Sequence, residues 1–196
     1  MNAAGLKELL SAWAAIMNEK KDWLIELDSV VGDSDLGLTM SDGFAAAAEA
    51  AAGSDATDVG RLAYQAGKAM ATAVPSTMGT LMASGLMNAG KQLKGQEEAA
   101  DAAFFAAWYD GVQNRGKAQP GEKTFLDGMQ PAVQALQDGK SPQEAADAAW
   151  TAFQNTKGIL AKHGRMAIRG EASRELLDPG AAVAALLMKG YAEAGE

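Results

Sequence analysis

Apolar residues recur at helical spacing along almost the whole chain, and nowhere do they alternate at the period of two that a half-buried strand requires. Leu6, Leu9, Leu10, Trp13 and Ile16 form the first stripe, Phe104, Phe105, Trp108 and Val112 a later one, and Val183, Leu187 and Tyr191 the last. Alanine is abundant while β-branched and aromatic residues are sparse, a balance that favours helix. The pattern predicts eight helices, over 3–27, 38–52, 57–73, 77–93, 97–114, 123–137, 141–162, and a last one opening at Asp178-Pro179. Pro75 pushes its predecessor out of the α region and separates the third from the fourth. Ser141-Pro142-Gln143-Glu144 offers an N-cap serine, a first-turn proline and a capping-box glutamate. Pro131 is expected to kink the sixth helix. Mostly short connectors then imply an all-α fold, an eight-helix antiparallel up-and-down barrel or bundle. The 196 residues suit a single domain over 1–196 and would cramp two.

Composition removes several classes of function. There is no cysteine, which excludes disulfides, thiolate catalysis and Cys-ligated zinc. His163 is the only histidine, so His-rich metal sites are excluded as well. A net charge of −8 without a basic stripe argues against nucleic acid. No apolar run reaches the roughly 18 residues of a membrane span. The first residues lack a basic region followed by an apolar one, so no signal peptide is expected and the default location is the cytoplasm.

In an up-and-down bundle alternate loops share an end. The loops 28–37, 74–77, 115–122 and 163–179 fall together, and these hold the unusual chemistry. The opposite end receives plain turns such as Lys94-Gly95-Gln96 and Asp138-Gly139-Lys140. One rim therefore reads as a site and the other as closure.

The first of those loops crowds three carboxylates, Asp28, Asp33 and Asp35, around Gly32 and Gly37. At neutral pH they repel one another unless a cation or shared protons intervene. Hard divalent cations take such oxygen ligands, and Mg²⁺ combines a few carboxylates with substrate phosphates. The competing reading is a solvated turn with Asp28 at a helix end and Asp35 as an N-cap, but a cap needs one acid and not three. An EF-hand fails because Phe44 stands where the closing glutamate belongs. Arg115, Lys117 and Arg165 lie in loops of the same rim and together suit phosphate groups, although each alone reads as surface charge. Ser76-Thr77 opens a helix whose free N–H groups form an anion site or simply a cap. Asp178-Pro179-Gly180 taken alone reads as an N-cap with a first-turn proline, and His163 as a surface residue. Gly85 to Gln92 nearly spells a phosphate-binding loop but lacks the closing Ser or Thr and a preceding strand.

Four motifs in order, Leu27-Asp28 with Gly32-Asp33-Ser34-Asp35-Leu36-Gly37, Asp110-Gly111-Val112 with Arg115 to Thr124, Gly164-Arg165, and Asp178-Pro179-Gly180-Ala181, give the chain its family likeness. It resembles the nucleotide-binding L subunit of dihydroxyacetone kinase, also the second domain of single-chain dihydroxyacetone kinases. The resemblance implies an eight-helix barrel with ADP or ATP at one rim and two Mg²⁺ held by Asp28, Asp33 and Asp35, with Arg165 joining them in catalysis. It also implies nucleotide contacts from Leu36, Gly37, Leu38, Thr39, Ser76, Thr77, Met78, Gly116, Phe125, Arg165, Asp178, Pro179 and Gly180. The family usually has histidine where this chain has Leu36, which leaves the metal ligands intact but cannot hydrogen-bond the nucleotide.

By the same resemblance the chain is half an enzyme. A separate K-type subunit would hold the short ketose, and a homodimer or hetero-oligomer is expected. The phosphoryl source is either ATP or a phosphocarrier of the phosphoenolpyruvate-dependent phosphotransferase system that recharges bound ADP, with a lean to the phosphocarrier because the chain stands as a separate subunit. The rival readings are an ATP-dependent kinase subunit for another small ketose, a non-catalytic regulatory nucleotide-binding homologue, and an Ala-rich scaffold without ligand. No nucleic acid or membrane partner is expected.

Overall fold

Side-chain caps start most of the helices. In the computed structural model, which describes residues 1–195, Asn2, Asp58, Ser76, Thr124, Ser141 and Asp178 each accept a first-turn backbone N–H. Thr124 and Ser141 complete capping boxes with Asp127 and Glu144. The helices are α1 (Ala3–Glu19), α2 (Lys21–Ser29), α3 (Leu36–Ala52), α4 (Val59–Ala73), α5 (Thr77–Gln92), α6 (Asp101–Gly116), α7 (Phe125–Gln137), α8 (Pro142–Gln154) and α9 (Pro179–Ala194). A run of 3₁₀ turns, Arg165–Glu175, lies between α8 and α9, and the described residues contain no strand.

The sequence pattern joined α1 and α2 into one helix, and the structure breaks it at Lys20. There ψ opens to 9°, while the Lys20 N–H still bonds the Ile16 carbonyl and Leu24 N–H bonds the Lys20 carbonyl. Lys20 is thus the C-cap of the first segment and the N-cap of the second, and the helical ladder is interrupted between them. Counted as one limb, α1–α2 leaves eight limbs. Contacts run from α1 to α3, then through α4, α5, α6, α7 and α8 to α9, which returns to α1, and the ring is closed. The eight-helix, all-α expectation is borne out. Among the described residues no helix is long and apolar enough to cross a membrane.

Two boundaries move for tertiary reasons. The seventh predicted helix was to reach Lys162, yet α8 stops at Gln154. The buried Thr156 hydroxyl donates to the Phe153 carbonyl and accepts from Asp178 N–H, and Gly158 turns the chain at φ 88°. The fifth was to start at 97, yet α6 starts at Asp101. Residues 96–99 are drawn to other segments, with Val59 N–H donating to the Gln96 carbonyl and Ala99 N–H to that of Met1.

Inside the ring, Trp13, Phe44, Phe104, Phe105 and Trp108 are fully buried. Trp13 and Trp108 lie 4.8 Å apart between ring centroids, and each indole N–H is satisfied, by the carbonyls of Leu187 at 2.7 Å and Met82 at 3.2 Å. Gly85 of α5 allows Trp108 to lie flat, since a Cβ there would come within 1.6 Å of the indole. In a helix interior Gly→Ala is normally stabilising by up to about 1 kcal/mol. Here Gly85→Ala is expected to destabilise by ~2–3 kcal/mol through overpacking, read as a lower urea midpoint at unchanged slope.

Candidate functional site

The end of α2 and the start of α3 are tied by a turn in which Asp28 does most of the bonding. Its carbonyl accepts from Val31 N–H and Gly32 N–H, and its Oδ2 accepts from Leu36 N–H at 3.4 Å. Gly32 is needed there, because a Cβ would lie 2.2 Å from Asp28 Oδ1. Ser34 takes a left-handed φ of 65°, reversing the chain between the other two acids. Asp35 stands at the N-cap position of α3 without a side-chain capping bond. The cap reading of this residue therefore fails, and its carboxylate is left for something else.

The result is a cluster in which one carboxylate oxygen from each of Asp28, Asp33 and Asp35 lies within 4.8 Å of the others. Burial, then the charges of Asp33 and Asp28, push the Asp35 carboxyl above its ordinary range. Arg165 Nη2 lies 2.5 Å from Asp33 Oδ2 and offsets part of this charge. The donor set is all oxygen and partly exposed, and its one backbone N–H bond is the long one from Leu36 to Asp28, which fits a hard divalent cation with room for further ligands.

The cluster stands at the mouth of a cavity of about 810 Å³, within the size range of small-molecule sites. Residues of all four unusual loops line it. Of the sequence-predicted residues, Asp28, Asp33, Asp35, Leu36, Ser76, Thr77, Met78, Gly116, Phe125, Arg165, Asp178, Pro179 and Gly180 are on its walls. Leu38 and Thr39 line a shallower neighbouring groove of about 230 Å³ with Asp42 and Val74. Gly37 faces neither, for its Cα is pressed on α2, where a Cβ would meet the Lys21 carbonyl at 2.1 Å. Its role in this structure is close helix packing. Arg115 lines the cavity, whereas Lys117 caps the C-terminus of α6 outside it, in a left-handed conformation.

The start of α5 presents its first turn to the cavity, and Ser76 Oγ already accepts from Gly79 N–H at 3.0 Å. Asp178 caps α9, with Oδ2 2.7 Å from Ala181 N. Burial pushes its carboxyl up to about 7, against the backbone N–H bonds that favour the ion. His163 is no idle surface residue, since it lines the cavity and its Nε2 lies 2.6 Å from Glu122 Oε2. That bond, then the one from Gln119 N–H, holds the Glu122 carboxyl below its ordinary range.

Sequence reasoning missed Lys123, Leu81, Val112 and Met166, all on the cavity wall. Leu81 lies one helical turn beyond Thr77, and Val112 one turn before Gly116, so the helical period could have found them. Lys123 carries no such signal. It precedes a cap residue and looks like exposed charge, yet it is only 2% exposed.

The family described as the DAK2 domain matches residues 30–193 of this chain. The ADP-binding subunit DhaL of PEP-dependent dihydroxyacetone kinase 1 from Listeria innocua is 32% identical over 173 residues, 87% of this chain and 86% of that protein. L-erythrulose 1-kinase of Mycolicibacterium smegmatis is 34% identical over 204 residues, 97% of this chain but 35% of the enzyme. The dihydroxyacetone kinase of C. freundii superposes with a TM-score of 0.77 at 25% identity, covering 97% of this chain and 34% of that one. The same kinase in complex with AMP-PNP and Mg²⁺ gives 0.76 at 24% identity, over 95% and 33% of the two chains. The chain thus spans most of the separate subunit and about a third of the single-chain kinases. The family likeness read from the four motifs is borne out: this chain belongs to the DAK2 domain family.

Proposed function

We propose that this protein is the ADP- or ATP-binding, Mg²⁺-dependent subunit of a kinase that phosphorylates dihydroxyacetone or a related short ketose held by a separate K-type subunit. The observation that carries the reading is the cluster of three carboxylates at the mouth of a nucleotide-sized cavity. The DhaL name of the Listeria relative and the AMP-PNP and Mg²⁺ complex of the C. freundii kinase support it.

Phosphoryl transfer needs charge neutralisation and in-line placement more than covalent chemistry. Two Mg²⁺ ions, when bound, would supply charge that offsets the phosphate oxygens. Asp28, Asp33 and Asp35 would hold them. Arg165 pairs with Asp33 in the free protein, and its guanidinium would supply a forked donor to phosphate oxygens at the same place. The first turn of α5, at Thr77 and Met78, offers N–H groups to a phosphate oxygen. Phe125 and Gly116 would flank the base and ribose, and Asp178-Pro179-Gly180 is part of the same cavity wall. Leu36, buried beside Asp28, contributes an apolar surface and no hydrogen bond from its side chain.

The donor follows the separate-subunit relatives, whose names are PEP-dependent. Bound ADP is recharged by a phosphocarrier in the cytoplasm and does not leave. A second reading takes ATP as the exchangeable donor and a four-carbon ketose as acceptor, and the 34% identity to L-erythrulose 1-kinase favours that acceptor. Exhaustive dialysis separates them, because retained ADP marks the first and its loss the second.

Two outcomes test the metal assignment. ADP with Mg²⁺ at about 100-fold above its Kd is expected to stabilise the protein by about 2.7 kcal/mol, and ADP without the metal far less. Asp33→Ala should weaken Mg²⁺-dependent ADP binding by about ten- to 100-fold in calorimetry, ~1.5–3 kcal/mol. Asp35 gives the opposite sign in the free protein. A carboxyl raised in the fold holds its proton more tightly there than in the unfolded chain. Its ionisation therefore lowers stability as pH climbs from the ordinary carboxylate range to the raised value, and the penalty is complete above it. Asp35→Asn is expected to melt no earlier than wild type at pH 7 without ligand, yet to lose the Mg²⁺-dependent rise. A clear drop in ligand-free Tm would make Asp35 a structural residue.

A further inference from the structure

The chain between α8 and α9 forms a flap over one side of the cavity, and Arg165 reaches the acidic cluster from it. Little apolar surface holds this flap down. Its packing rests on Met166 and Ala161, which with Val31 form a small cluster backed by Leu176, and Ile168 beyond them is 86% exposed. Its two legs are joined by Gly158 N–H to the Arg174 carbonyl at 2.8 Å and Ala161 N–H to Ser173 Oγ at 3.1 Å.

One side chain from outside the flap ties both legs. Lys123 Nζ donates to the carbonyls of Ser173 and Leu176, each at 2.6 Å, and of Ile159 at 3.3 Å. These use all three of its N–H donors. Among the described residues no carboxylate lies within ion-pair distance, and the charge of Asp178 offsets only part of the cost of burying the ammonium, so the three carbonyls are its direct partners. Its backbone is also left-handed, at φ 63°, a conformation that L residues other than glycine rarely adopt. A chain that needed only to fill this space would use an apolar side chain on relaxed backbone. Lys123 stands two residues before Phe125, which lines the cavity, so its arm links that part of the wall to the flap.

We propose that Lys123 is the positioning residue for Arg165: by pinning Ile159, Ser173 and Leu176 it fixes the flap, and with it the guanidinium, over the three aspartates before any ligand arrives. The consequence for nucleotide binding rests on the function proposed above, whereas the pinning itself does not.

Hydrogen exchange on the ligand-free protein tests the pin. Lys123→Met should speed exchange at Gly158, Ala161 and Leu176 by about tenfold or more, beyond any change shared by the amides of α6 and α9. Flap exchange that moves only with the global change overturns the proposal. If the methionine variant does not fold, Lys123→Gln, which keeps donors on a shorter arm, is measured in its place. Failure of both to fold would make Lys123 a folding residue and overturn it too. Calorimetry with Mg²⁺ and ADP tests the coupling. Lys123→Met and Arg165→Ala should each weaken binding by about tenfold, and the double variant should match the weaker single within about twofold. Losses that multiply show independent roles and overturn the proposal. If wild type binds no Mg²⁺–ADP, the nucleotide reading fails, and the exchange result alone decides on Lys123.

Discussion

Mutual repulsion among Asp28, Asp33 and Asp35 is the constraint around which this end of the molecule is arranged. Three carboxylates within 4.8 Å oppose folding unless something offsets them. The fold nevertheless fixes each one. Asp28 sits in the last turn of α2 and is locked by Leu36 N–H, Gly32 leaves space for its oxygens, and Ser34 turns Asp35 to the start of α3 without letting it cap. Arg165 supplies one positive group from a segment more than a hundred residues away. The remaining charge is a standing demand for a cation, and that demand links the local backbone to the proposed chemistry.

The ring of helices meets this demand by changing character along each limb. On α6, Phe104, Phe105 and Trp108 face the aromatic core, while Val112 and Gly116 further along face the cavity. On α5 the order runs the other way, with Thr77, Met78 and Leu81 at the cavity and Met82, Leu86 and Ala89 in the core. Antiparallel neighbours therefore present opposite ends of their sequences to the same rim. The aromatic cluster fills the barrel at depth, and the cavity opens at the rim where the four unusual loops meet.

The parts legible in the sequence were those set by local rules. Ser141-Pro142 and Asp178-Pro179 announced their helices through caps that the structure repeats, and loop parity gathered the four unusual loops at one cavity. The aspartate loop was legible because nothing local explains three acids together. What was not legible depends on partners distant in sequence. Thr156 ends α8 early because Asp178 N–H, 22 residues on, needs its hydroxyl. Residues 96–99 stay out of α6 because Val59 and the N-terminal strand-like residues claim their backbone. Lys123 reads as surface charge until the flap is folded over it. Gly37 belongs to the nucleotide stretch by motif, but its missing side chain serves the contact between α2 and α3.

Backbone strain separates the two ends of the barrel in the same way. Among the described residues three non-glycine residues have left-handed φ, namely Ser34, Lys117 and Lys123, and all three lie in loops at the cavity end. The plain turns opposite reach positive φ at Gly95 and Gly139, where it costs almost nothing. Buried polar groups follow the same division. Asp178, with its carboxyl held near 7, and Lys123, with its ammonium pushed below the ordinary lysine value by burial, both sit on the cavity wall. Selection for stability alone would favour glycine at the strained positions and apolar side chains at the buried ones. Their concentration around one mouth, with a quiet opposite end as internal control, marks the rim as the place where this fold gives up stability for function.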